Sequence, residues 1–203
     1  MSIDINKFAW LDDIKDYHEK TPNADWVFLY NDIFYGRFDP ALHGGESAHY
    51  AAVAEKLKSV GKGSKFAYIF KTLQALCEVL ALKSDIGART RQAYHSDDKT
   101  ELANLIKEYG ELLKRMQTFY TVFRKHFLRE NKPSGLEVQD IRLGGLIQRI
   151  KSCRQTLIEY CGGKISNIPE LDERILPLPD SFADEEGCFL FGDYSKIVSM
   201  NAI

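Results

Sequence analysis

Cysteine is scarce and scattered in this 203-residue chain: Cys77, Cys153, Cys161 and Cys188 form no C-x-x-C pair. That spacing argues against a disulfide framework or a zinc ribbon and for buried thiols, with Cys153 and Cys161 about two turns apart on one helical face. No apolar run reaches membrane-spanning length, and the opening M-S-I-D-I-N-K-F-A-W has no basic stretch followed by an apolar core. A transmembrane span and a secretory leader are therefore not expected, and a cytoplasmic location is. Neither sign of charge dominates, with Lys+Arg of 27 against Asp+Glu of 29. The electrostatic footprint of a nucleic-acid or anionic-membrane partner is missing.

Motifs that carry chemistry are also absent. Histidines at 18, 43, 49, 95 and 126 fall in no H-x-x-x-H or H-E-x-x-H spacing, so no metal centre is expected. The glycine pairs form neither G-x-G-x-x-G nor a P-loop, and there is no G-x-S-x-G turn, so no cofactor and no serine nucleophile are expected. Acidic groups at Asp12-Asp13, Asp97-Asp98 and Asp184-Glu185-Glu186 sit at element ends or in a linker. Helix dipoles and water account for them without acid-base catalysis.

What is present is helical periodicity. Residues 1–45 are mixed and aromatic-rich, with a helical stretch expected around Asn6 to His18, a turn at Thr21-Pro22-Asn23, and a loop marked by Gly36, Pro40 and Gly44-Gly45. The apolar run Trp26 to Tyr30 is too short for its periodicity to choose between strand and helix. From Glu46 onward Tyr50, Val53, Ala54 and Leu57 make a helical face ended by Gly61 and Gly63. Ser64 can cap a second helix, with Phe66, Ile69, Phe70, Leu73, Leu76, Cys77 and Leu80 leading toward Ile86. Asp97 or Asp98 can cap a third, whose stripe runs from Leu102 to Phe127 and stops at Asn131-Lys132-Pro133, a rod of about 45 Å. A fourth spans about Gly135 to Tyr160, with Leu136, Ile141, Leu146, Ile147, Ile150, Cys153, Leu157 and Cys161 facing inward and Gly162-Gly163 as its stop. A short helix near Ile168 to Ile175 precedes an acidic linker and two short strands or extended arms, Cys188 to Phe191 and Lys196 to Val198. The fold expected is mainly α: an antiparallel bundle of three to four long helices with short extended segments at both ends.

Two features point to contact surfaces. Gly144 and Gly145 lie in the interior of the fourth helix, where each costs about 1 kcal/mol relative to alanine, and close approach of another backbone would offset that cost. That partner would be the third helix or something outside this chain. Tyr30, Phe34, Tyr35 and Phe38, with Asp32 and Arg37 among them, are too aromatic for a free surface turn. Arg142 and Arg149, seven apart on one face, can form an interface network with Asp140 or Glu137, or simply a solvated face.

Four runs carry a resemblance: K-P-S-G-L-E-V-Q-D-I-R-L-G-G-L at 132–146, L-Y-N-D-I-F-Y-G-R-F-D at 29–39, H-Y-A-A-V-A-E-K-L-K at 49–58 and K-I-V-S-M-N at 196–201. In order and spacing they resemble the C-terminal α-helical domain of bacterial glycoside hydrolase family 20 β-N-acetylhexosaminidases, the three-domain type of streptococci and other Firmicutes. The resemblance implies a domain that follows a catalytic (β/α)8 barrel, packs on it and helps form a homodimer. In that family an Asp-Glu pair on the barrel performs substrate-assisted hydrolysis. A barrel of about 250 residues does not fit in this chain, so the active site is expected to lie outside it. Residues 1–23 are then a joining segment or a remnant of the barrel, and 24–203 the helical accessory domain. The alternative is a free-standing helical bundle that recognises a peptide or partner helix in a groove.

Overall fold

A computed structural model describes residues 24–60 and 62–175. Among these residues six α-helices follow one another: α1 (Ala24–Tyr30), α2 (Glu46–Leu57), α3 (Ala67–His95), α4 (Lys99–Glu130), α5 (Leu136–Cys161) and α6 (Pro169–Asp172), with a 3-10 turn at Asp39–Ala41. The mainly helical bundle matches the expectation. The short run 26–30 is helix, and the stretches 6–18, 188–191 and 196–198 lie outside the described residues.

The long helices are antiparallel to their sequence neighbours. Tyr68 pairs with Glu130 and Arg115 with the Glu78 carbonyl between α3 and α4, while Tyr120 reaches Asp140 and Arg154 the Ile106 carbonyl between α4 and α5. Short connections force this arrangement. On α4 the buried residues Leu102, Leu105, Tyr109, Leu112, Met116 and Phe119 alternate three and four apart, the spacing that keeps one seam against a partner helix. Asp98 caps α4 by accepting from the Glu101 amide at 2.9 Å.

Helix α3 is the centre of the molecule. It packs against α1, α2, α4 and the 3-10 turn, and it buries residues around most of its circumference, from Phe70 to Tyr94. It extends well past Ile86 to His95 because the polar residues that interrupt its apolar stripe, Lys83, Ser84 and Thr90, are themselves buried. Its end is a left-handed turn at Asp97, φ 52°, with the Asp98 amide reaching back to the Ala93 carbonyl at 2.9 Å.

Two expectations about packing are corrected. Ile141 is 46% exposed, and Leu143 takes the inward place on α5. Gly144 and Gly145 are exposed, and a Cβ at Gly144 meets nothing within 4 Å, so of the two neighbours considered for that position the third helix is ruled out. An interior glycine that does admit a backbone is Gly87 on α3, where a Cβ would stand 2.6 Å from the Ile33 carbonyl oxygen.

Candidate functional site

The segment from Tyr30 to Asp39 packs into the bundle. Phe34 and Phe38 are fully buried, Tyr30 nearly so, and Tyr35 is the only one of the four aromatics that is exposed, at 43%. The aromatic content of this loop thus serves the core, with Tyr35 alone of the four turned outward. The reason is a set of polar groups that turn the loop inward.

Asn31 and Asp32 shape it locally. The Asp32 carboxylate accepts from the Phe34 and Tyr35 amides at 2.8 and 2.9 Å, an Asx-type turn. Asn31 accepts from the Phe38 amide at 3.1 Å and donates to Asp39 Oδ1 at 2.8 Å. Gly36, at φ +56°, makes the reversal that brings these groups together.

Long-range partners then hold the loop. Arg149 of α5 donates through Nε to Asp32 Oδ2 at 2.7 Å and through Nη2 to Asp32 Oδ1 at 3.0 Å and Glu170 at 2.5 Å. Its guanidinium also lies over the Tyr35 ring, 5.6 Å from the centroid. Lys83 of α3 is buried and donates to the Phe28 and Asn31 carbonyls at 2.9 and 2.7 Å, closing the C-terminal end of α1. Arg91 donates to the carbonyls of Phe34, Leu171 and Glu173, and Tyr94 ties Asp172 and the Ile168 amide, so α6 is fastened to the same junction.

Electrostatics follow from this packing. Burial pushes the Asp32 carboxyl up, but the Arg149 hydrogen bonds and charge and the two loop amides outweigh it and hold its pKa below the usual range. Burial raises Asp39 to about 6 against the pull of Asn31, Arg91 and Lys83. Burial lowers Lys83 to about 8, opposed by Asp32 and Asp39. The Cys153 thiol beside this cluster is pushed by burial to about 12, which makes it an inert core thiol.

Of the residues singled out in the sequence, Asp32 and Tyr35 meet α5 through Arg149, and Arg142 lies within electrostatic reach of Tyr30. Arg142, Gly145 and Arg149 are three and four residues apart, so the glycine step and the loop share one side of α5. Arg37 is buried. Arg149 does not pair with Asp140 or Glu137: Asp140 accepts from Tyr120 and Glu137 from the Gly135 amide, each at 2.8 Å. Asn31, Asp39, Lys83 and Arg91 were not legible as members, because their partners lie far away in sequence or depend on how the loop folds. The mid-helix break in the α3 stripe at Lys83 was the one available signal.

This cluster fixes the first loop and α6, and its hydrogen bonds join its own side chains and backbone amides and carbonyls. No helix among the described residues is long and apolar enough to cross a membrane. No curated protein matches the sequence. The sequence matches the profile of the Glycoside Hydrolase 20C C-terminal domain over residues 3–189, and the chain belongs to that family.

Proposed function

We propose that this chain is the non-catalytic helical domain of a β-N-acetylhexosaminidase, bracing the catalytic barrel of the parent protein and supplying a face for a homodimer. Removal of terminal N-acetylhexosamine residues is the work of the barrel. The observation that carries this reading is the family match across most of the chain. The proposed docking face is the side of α5 that presents Ile141, Gly144, Gly145 and Arg142, together with Tyr35: two exposed apolar side chains beside a smooth glycine step, which lets another backbone approach. A cytoplasmic location and a place in carbohydrate metabolism belong to the same proposal.

The test is direct. The purified chain incubated with a chromogenic chitobiose analogue should give no turnover, and turnover would overturn the assignment. Sedimentation should show a dimer that Ile141→Asp weakens; an unchanged sedimentation profile would remove this face from the proposal.

A second reading, a free-standing module that holds a partner helix, is favoured by one groove of about 440 Å³ between α2, α3 and α4, floored by Ala51, Ala54 and Ala81 and walled by Glu55, Glu78 and Arg115. The reading frame upstream of Met1 decides between the two. A barrel carrying an Asp-Glu pair supports the first, and a stop codon supports the second.

A further inference from the structure

We propose that the loop from Asn31 to Asp39 is a proton-operated latch, which closes over Asp39 when that carboxyl is neutral and loosens when it ionises. The latch stands on the geometry of the loop. Only its effect on docking rests on the reading above, through Tyr35.

The two oxygens of Asp39 are unequally served. Oδ1 accepts from Asn31 at 2.8 Å, whereas Oδ2 is buried with no hydrogen-bond partner. It lies against the backbone of Gly36, where a Cβ would come within 2.3 Å of it, so the carboxyl is packed on a glycine turn. The charged groups around it are Lys83 and Arg91 from α3 and Asp32 from the loop, with Arg149 of α5 and Glu170 of α6 behind Asp32, and Arg37 buried on the same loop. Lys83 donates to the Phe28 and Asn31 carbonyls, Arg91 to those of Phe34, Leu171 and Glu173, and Arg149 to Asp32 and Glu170. None donates to Oδ2.

A buried carboxylate with an oxygen left without a donor is costly, and the neutral acid is far less so. Opening the segment around Gly36 and the 3-10 turn would bring water to Oδ2 and relieve that cost. The closed loop therefore binds a proton more tightly than the open one, and burial, against the pull of Asn31, Arg91 and Lys83, brings the carboxyl to about 6. The sign follows: closing is favoured as pH falls through about 6 and weakened above it.

Hydrogen exchange on the full 203-residue chain at about pH 5 and about pH 8, corrected for intrinsic rates, tests the latch. Protection of amides 34–39 relative to the α4 core should be about tenfold higher at the acid pH, and Asp39→Asn should remove the difference. An equal pH response in wild type and Asp39→Asn would overturn the latch. Should Asp39→Asn fail to fold, a carbon-13 titration of the wild-type carboxyl decides: a midpoint near 6 supports the latch, and one near 4 overturns it. A latch response with sedimentation unchanged across the same pH range supports the latch and counts against the docking reading alone.

Discussion

Arg149 on α5 and Asp32 in the first loop stand 117 positions apart and are joined by two hydrogen bonds, at 2.7 and 3.0 Å. The guanidinium offers a planar fork to a carboxylate that is nearly excluded from water. Breaking such a pair from one side leaves the other charge buried alone. Arg149→Leu should therefore lower the unfolding free energy by about 3 kcal/mol in urea titrations. Arg149→Lys should recover only part of that loss, because an ammonium cannot serve both oxygens in one plane.

The two aspartates of the loop should pull the pH profile in opposite directions. Asp32 has its folded pKa depressed, so its contribution is present above about 3.9 and is lost as pH falls through the lower folded value. Asp39 has its folded pKa raised to about 6, so folding gains as pH falls from neutrality toward that of the free acid. Wild-type stability should rise from about pH 7 to about pH 4 and then fall. Asp32→Asn should flatten the acid limb and Asp39→Asn the neutral limb, both read as urea midpoints.

Glycines 87 and 144 should respond to alanine with opposite signs. A methyl at Gly87 would press on the Ile33 carbonyl at 2.6 Å, and Gly87→Ala should cost about 1–3 kcal/mol. Gly144→Ala meets open space on an exposed helix and should add up to about 1 kcal/mol to the stability of the chain. Thermal melts of the two variants check both.

Asp98→Ala should cost about 1 kcal/mol, since the side chain supplies an acceptor to the Glu101 amide at the first turn of the 32-residue α4. Asp98→Asn should be close to neutral, and the comparison separates capping from charge.

Much of the bundle could be read from the residues. The three-and-four spacing along α4, the cap at Asp98 and the Gly162-Gly163 stop, where the Lys164 amide reaches back to the Glu159 carbonyl at 2.9 Å, are local signals with local causes. The far half of α3 was less legible because Lys83 and Arg91 interrupt its apolar face, and they do so because they bind the carbonyls of another segment. The aromatics of the first loop correctly signalled burial but not by what, since the groups that turn the loop inward come from α3 and α5. Among interior glycines the adjacent pair at 144 and 145 drew attention, yet Gly144 faces open space, while Gly87, a single glycine within a helix, has a backbone against it.

The fastening of Phe34, Leu171 and Glu173 by Arg91 also bears on the order of assembly. The α3–α4 and α4–α5 hairpins rest on neighbours in sequence and close small loops, whereas Arg91 meets carbonyls 57, 80 and 82 positions away. Its contacts can form only after the helices have gathered, on the native side of the folding barrier. Replacing Arg91 should then speed unfolding and leave the refolding rate nearly unchanged, so this one guanidinium governs how long the assembled domain lasts more than how quickly it forms.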